Sequence, residues 1–221
     1  DQARVETTRF DIAGLTNITR DHLDYHPTFE HYTSAKMHIF DLLKKDGVAV
    51  INEDYLELLN GKNVPKAVSI GTSEKADYHI SNVSTSWNGT IFTLKTPYGE
   101  KKVYTQMIGE YNAFNVTLVL AGLVEIGYDL DEIISHISTF RGVDGRFEPI
   151  PEARKLGIEV VIDFAHSPDA LEKVITTARK LTKGRLIVVY GAGGQADKGK
   201  RPMMSEVVTK LADIAILTTD D

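Results

Sequence analysis

The segment IEVVIDFA, residues 158–165, narrows the possible folds more than any other stretch of this chain. Its apolar residues run almost without a break. A strand of that kind needs cover on both faces, which parallel sheets flanked by helices provide. Ser167-Pro168-Asp169 follows and opens a helix, with Ser as N-cap, Pro at the first position and an acid on the positive end of the dipole. RLIVVYGAGG (185–194) is a second buried strand, RPMMSEVVTKLAD (201–213) a second helix with Pro202 near its start, and DIAILTTDD (213–221) a third strand. The order β-α-β-α-β predicts an α/β fold of doubly wound type.

The upstream part has a different grammar. RFDIAGLTNIT (9–19) has a short strand pattern, and Thr28 to Leu43 is predicted helical from Phe29, Tyr32, Ala35, Met37, Ile39 and Phe40. GVAVIN (47–52) and KAVSIG (66–71) are strands. Residues 78–109 alternate between apolar and polar, with Asn88-Gly89 as a hairpin turn and PYGE (97–100) as a second turn. Residues 109–126 are helical, then DLDEIISHISTF (129–140) forms another helix with Asp at its start. GVDGRFEPIP (142–151) is rich in Gly and Pro and has no period, so a domain boundary is expected there, between residues 1–148 and 149–221.

A net charge of −6 argues against a nucleic-acid or anionic-membrane footprint. No apolar run approaches the roughly 18 residues of a membrane span. The chain has no cysteine, which excludes disulfides and thiolate metal sites and fits a reducing cytoplasm. It opens without methionine and stops on a strand pattern, so a fragment of a longer protein is expected.

Three stretches carry chemistry. In GAGGQADKGKR (191–201), Gly191, Gly193 and Ala196 fit a dinucleotide fingerprint, and a plain glycine turn is the competing reading. A phosphate loop fails there, because Arg201 stands where a magnesium-binding Ser or Thr is required. Lys198, Lys200 and Arg201 remain candidate phosphate or carboxylate contacts. Asp163 closes the first buried strand, with His166 beyond it, at the strand end where α/β sheets bind ligands. It reads either as a ribose acceptor or as a helix cap. In RDHLDYHPTFEHYTSAK (20–36), His22 and His26 are four apart, but Pro27 precludes one helix through both, so a zinc-protease site is rejected.

These stretches together resemble the Mur ligases, the ATP-dependent amide-forming enzymes of peptidoglycan precursor synthesis. TNITRDHLDYHPTFEHYTSAK, GEYNAFNVTLVLAGL, GVDGRFEPI, VVIDFAHSPDALEKV, VVYGAGGQADKGKRPMM and ADIAILTTDD occur in the family's order. The chain is most similar to the member that adds the third amino acid to UDP-MurNAc-L-Ala-D-Glu. The resemblance implies a partial central ATP-binding domain with a β-hairpin or meander insertion, then part of a Rossmann-like C-terminal domain. It implies ATP and Mg2+ as cofactors, the nucleotide-sugar dipeptide and a free amino acid as substrates, and a cytoplasmic monomer with no nucleic-acid partner and no membrane insertion.

Residue by residue, the resemblance implies that Lys36 is carbamylated and, with His22, serves magnesium and catalysis. Tyr111, Asn112 and Asn115 would surround adenine, Arg146 would contact phosphates, and Asp163 the ribose. Gln2, Arg4 and Asp220 would hold substrate, while Asp24, Glu30, His31 and His38 are read as structural or solvated. The chain departs from the family pattern in four places. The GTNGKT-type phosphate loop and the EVSSH-type acidic motif are missing, Ala196 replaces an Arg, and Asp221 replaces the Asn of a DNPR-type motif. Cyanophycin-synthetase-like ligases and a non-catalytic Mur-like nucleotide-binding module are the alternatives.

Overall fold

The computed structural model describes residues 5–19, 25–192 and 199–219. It forms two compact units, one from residues 26–140 with the N-terminal strand and one from residue 141 onward.

The first unit is built on a six-stranded sheet of order β1-β2-β3-β4-β5-β6. The strands are β1 (Phe10–Leu15), β2 (Leu43–Asn52), β3 (Lys66–Gly71), β4 (Tyr78–Ser86), β5 (Gly89–Thr96) and β6 (Gly99–Thr105). β1 to β4 pair in parallel, and β4-β5-β6 form an antiparallel meander. The helices are α1 (Phe29–Met37), α2 (Tyr111–Glu125) and α3 (Leu130–Thr139).

The pleat explains why β2 reads as a continuous apolar run. Val48 and Val50 face α2, while Ala49 and Ile51 point the other way, towards Tyr32, Met37 and Phe40. Both faces are covered. The meander is covered on one face only: Tyr78, Ile80, Phe92, Leu94 and Val103 are buried, whereas Ile91, Lys95, Lys102 and Tyr104 are exposed. That difference in cover produces the alternation seen in its sequence.

Two local expectations shift, and one further turn is new. The predicted helix over 28–43 stops at Met37 and tightens into a 3-10 turn over His38–Leu42. A second 3-10 turn, Glu53–Leu59, gave no helical signal in the sequence. The hairpin closes around Trp87 and Asn88, since Ser86 already pairs with Gly89. Gly89 is needed for a different reason: its φ is +131°, and a Cβ there would lie 2.2 Å from the carbonyl oxygen of Thr105.

At the far end of α2, Glu125 keeps a carboxylate side chain that is 3% exposed. The Tyr78 hydroxyl donates to its Oε1 at 2.6 Å, and Lys66 Nζ pairs with its Oε2. Burial, and then the bonded carboxylate, push the pKa of Tyr78 upward. Tyr78→Phe would leave the carboxylate with one donor fewer in a dry site, so a loss of about 1–3 kcal/mol is expected in urea unfolding.

The second unit holds β7 (Glu148–Pro149), β8 (Val161–Ile162), α4 (Pro168–Leu181), β9 (Ile187–Tyr190), α5 (Lys200–Leu211) and β10 (Ile214–Leu217). β9 and β10 pair in parallel, and α4 and α5 pack through Leu171, Ile175, Met204 and Val208. Ser167 caps α4 as predicted, accepting from the Ala170 amide. IEVVIDFA departs from expectation. Only Val161–Ile162 forms a strand, paired antiparallel to Glu148–Pro149, while Ile158, Val160, Ile162 and Phe164 are exposed. A continuous apolar run requires cover on both faces, and the described residues do not supply it.

Asp213 ties β10 to the start of β9. Its Oδ2 accepts from the Leu186 amide at 2.7 Å and from Arg179 Nη1 at 2.6 Å, and these bonds hold its pKa below the usual carboxylate value. A depressed carboxylate stabilises the fold above its unfolded pKa of roughly 3.9 and loses that contribution as pH falls through the folded value. Thermal melts from about pH 5 downward should therefore fall less steeply for Asp213→Asn than for the wild type.

Candidate functional site

In the first unit the candidate residues sit at the N-terminal ends of helices α1 and α2 and along α1. Gly109, with φ +118°, turns the chain into α2, and the Tyr111 ring packs so closely that a Cβ on Gly109 would lie 2.6 Å from it. Asn112 is buried. Its Nδ2 donates to the Ile108 carbonyl at 2.9 Å, and its Oδ1 accepts from Asn115 Nδ2 at 3.0 Å. The pair thereby fixes the amide plane of Asn115, a partly exposed group able to donate and accept along the edge of a planar ring.

Lys36 lies in the last turn of α1 with its side chain exposed and its Nζ 5.4 Å from the centre of the Tyr32 ring. Tyr32 in turn packs 5.2 Å from the buried His26, whose Nδ1 lies 2.9 Å from Nδ1 of His31. Tyr32 is four residues before Lys36, a spacing legible in the sequence but read there only as core. His38 faces Glu6 and Asp41 as a solvated pair.

For magnesium, the donor chemistry is decisive. An ammonium supplies no lone pair, whereas a carbamate on Lys36 would supply the hard oxygens this ion requires. Among the described residues no group of three or more His, Cys, Asp or Glu is arranged to hold a metal ion. A carbamate on Lys36 would be one ligand of such a site.

In the second unit Arg146 and Asp163 come together across one turn. The two carboxylate oxygens of Asp163 accept from the amides of Phe147 and Ala165, both at 2.7 Å. Both amides belong to loop residues and α4 is capped by Ser167, so Asp163 pins two loops rather than capping a helix, and each oxygen keeps a further lone pair for a ligand hydroxyl. The Arg146 guanidinium lies 4.8 Å from the centre of the exposed Phe164 ring. In the sequence Phe147 and Phe164 read only as apolar positions, with no signal that sets them apart. At the carboxyl ends of β9 and β10 lies a cavity of about 530 Å³ lined by Tyr190, Gly191, Arg201, Met204, Ser205 and Thr218, among others. It occupies the position where α/β sheets accept ligands. Gln2, Arg4, His22 and Asp220 lie outside the described residues, as do Ala196, Lys198 and Asp221.

Comparison with known proteins bears on both units. Residues 1–123 match the Mur ligase middle domain, and residues 145–221 match the Mur ligase glutamate ligase domain. The chain belongs to the Mur ligase family. Its relatives include the UDP-N-acetylmuramoyl-L-alanyl-D-glutamate–2,6-diaminopimelate ligase of Geobacter sulfurreducens, 38% identical over 229 residues, covering 100% of this chain and 45% of that protein. A solved 2,6-diaminopimelate ligase of the same kind is 34% identical with a TM-score of 0.70, covering 99% of this chain and 46% of that one. A MurF ligase of Thermotoga maritima in complex with ADP superposes with a TM-score of 0.75 at 20% identity, covering 98% and 54%, and shares the fold.

As a Mur ligase, the chain spans about half the length of the curated relatives it matches. The α/β fold with a parallel-dominated sheet agrees with the family's middle and C-terminal domains, as expected from the sequence. No helix among the described residues is long and apolar enough to cross a membrane.

Proposed function

We propose that this chain is the later part of the central domain (1–148) and the first part of the C-terminal domain (149–221) of a ligase that adds the third amino acid to UDP-MurNAc-L-Ala-D-Glu. The observation that carries this reading is 38% identity across the whole chain to a ligase named for that acceptor. ATP phosphorylates the substrate carboxylate, an amine attacks the acyl-phosphate through a tetrahedral intermediate, and phosphate leaves. Tyr111, Asn112 and Asn115 line the adenine, Arg146 contacts phosphates and Asp163 accepts from the ribose. Gln2, Arg4 and Asp220 hold substrate. A carbamate on Lys36 and the imidazole of His22 would hold magnesium, which when bound supplies positive charge to the transferring phosphoryl group. We further propose that the enzyme is a cytoplasmic monomer.

The test uses the complete gene product with UDP-MurNAc-L-Ala-D-Glu, ATP and single amino acids, starting with 2,6-diaminopimelate. Phosphate release that depends on the amino acid, with a tripeptide product by mass spectrometry, is expected. Release independent of every amino acid would refute the reading. The 221-residue chain alone carries no GTNGKT-type loop to cradle the γ-phosphate, so no ATP turnover is expected from it.

A further inference from the structure

The backbone around Arg146 adopts a conformation its own residues do not favour. Phe147 has a φ of +48° and is 2% exposed, although the left-handed region is disfavoured for a bulky side chain. Three hydrogen bonds hold it there. Phe147 N–H donates to Asp163 Oδ2 at 2.7 Å, Phe164 N–H donates to the Gly145 carbonyl at 2.8 Å, and Gly145 N–H donates to Glu148 Oε2 at 2.7 Å. The result is a division of labour between neighbours: the Phe147 ring goes inward and the Arg146 side chain outward, with its guanidinium over the Phe164 ring.

Burial does not account for Phe164, which is 60% exposed. The ring is nonetheless braced, since the His166 ring meets it edge-on at 4.9 Å and His166 Nδ1 lies 3.0 Å from the Phe164 carbonyl oxygen. A guanidinium on an aromatic face keeps its N–H donors in its own plane, pointing outward. Ordering that long side chain before a ligand arrives removes part of the entropic cost of binding.

We infer that Phe164 is a positioning residue for Arg146, its ring presenting the guanidinium to a phosphoryl oxygen while Asp163 fixes the turn beneath. The inference rests on the reading that Arg146 contacts the phosphates of the nucleotide.

The experiment uses the 221-residue chain labelled with 15N-arginine, the Arg146 Nε–Hε signal being assigned by its loss in Arg146→Ala. ADP is titrated into the wild type, Arg146→Ala, Phe164→Leu, Phe164→Met and Phe164→Tyr, with circular dichroism confirming the fold of each. ADP should shift the wild-type signal. Phe164→Leu and Phe164→Met should speed solvent exchange at Nε–H and weaken ADP about two- to fivefold, and Phe164→Tyr should restore both. If Arg146→Ala weakens ADP but the Leu and Met variants match the wild type in affinity and exchange, the positioning role is wrong and the phosphate contact stands. If ADP leaves the Arg146 signal unmoved and Arg146→Ala binds ADP like the wild type, the underlying reading fails.

Discussion

Lys36→Arg is expected to slow the complete ligase by about 100-fold or more. Arginine keeps the positive charge and most of the reach, so a lysine acting only through charge would be replaced with little loss. Carbamylation separates the two cases. A neutral amine attacks carbon dioxide, an N–C bond forms and a proton leaves, whereas a guanidinium stays protonated and does not react. The setting of Lys36 leaves its amine open to carbon dioxide, because the side chain is exposed at the end of α1. Two measurements check it: the amino-acid-dependent rate of the whole enzyme, and a carbamate carbonyl resonance in 13CO2-saturated chain that disappears in Lys36→Arg. A variant with the wild-type rate would rule out the carbamate and leave Lys36 at most a role through its charge.

Leu120→Ala should cost about 2–5 kcal/mol. Leu120 is fully buried on α2, in the cluster with Val50, Phe92 and Leu94 from the sheet. Alanine is the better helix former, so the whole loss comes from transfer and from the cavity left behind. Val119→Ala, one residue away and 53% exposed, is the control and should stay within about 0.5 kcal/mol of the wild type. Urea midpoints at constant slope measure both. Asn112 and Asn115 ride on the same helix, so relaxation of α2 into the cavity should also weaken ADP. Equal effects of the two substitutions would mean that α2 does not pack against the sheet as described.

Most elements of the fold could be read because local chemistry and tertiary demand agreed. Ser167-Pro168-Asp169 opens α4, KAVSIG is β3 residue for residue, and the alternation in 78–105 is that of a sheet covered on one face. The failures occur where burial depends on partners that periodicity does not name. GVAVIN and IEVVIDFA look alike in sequence, yet the first has both faces covered and the second exposes every other residue. The hairpin forms between the expected strands, but its turn lies one residue earlier, at Trp87 and Asn88, and Gly89 is there for the close approach of Thr105 rather than for a left-handed turn pair. Of the candidate site, Asn112 and Asn115 follow from the family resemblance alone, and the hydrogen bond that joins them at i, i+3 on one helix face is a finding of the structure. The Arg146–Phe164 contact was not, because it joins two segments through a backbone conformation that no side-chain pattern announces.

The outward rows of β9 and β10 govern how this chain behaves in concentrated solution. Ile187, Val189, Ile214 and Ile216 lie solvent-facing on adjacent parallel strands, an oily strip on a molecule of net charge −6. At low ionic strength like-charge repulsion keeps such strips apart. Added sulfate screens that repulsion and strengthens apolar association at once. The chain should therefore salt out at low sulfate concentration, and Val189→Lys should raise the threshold.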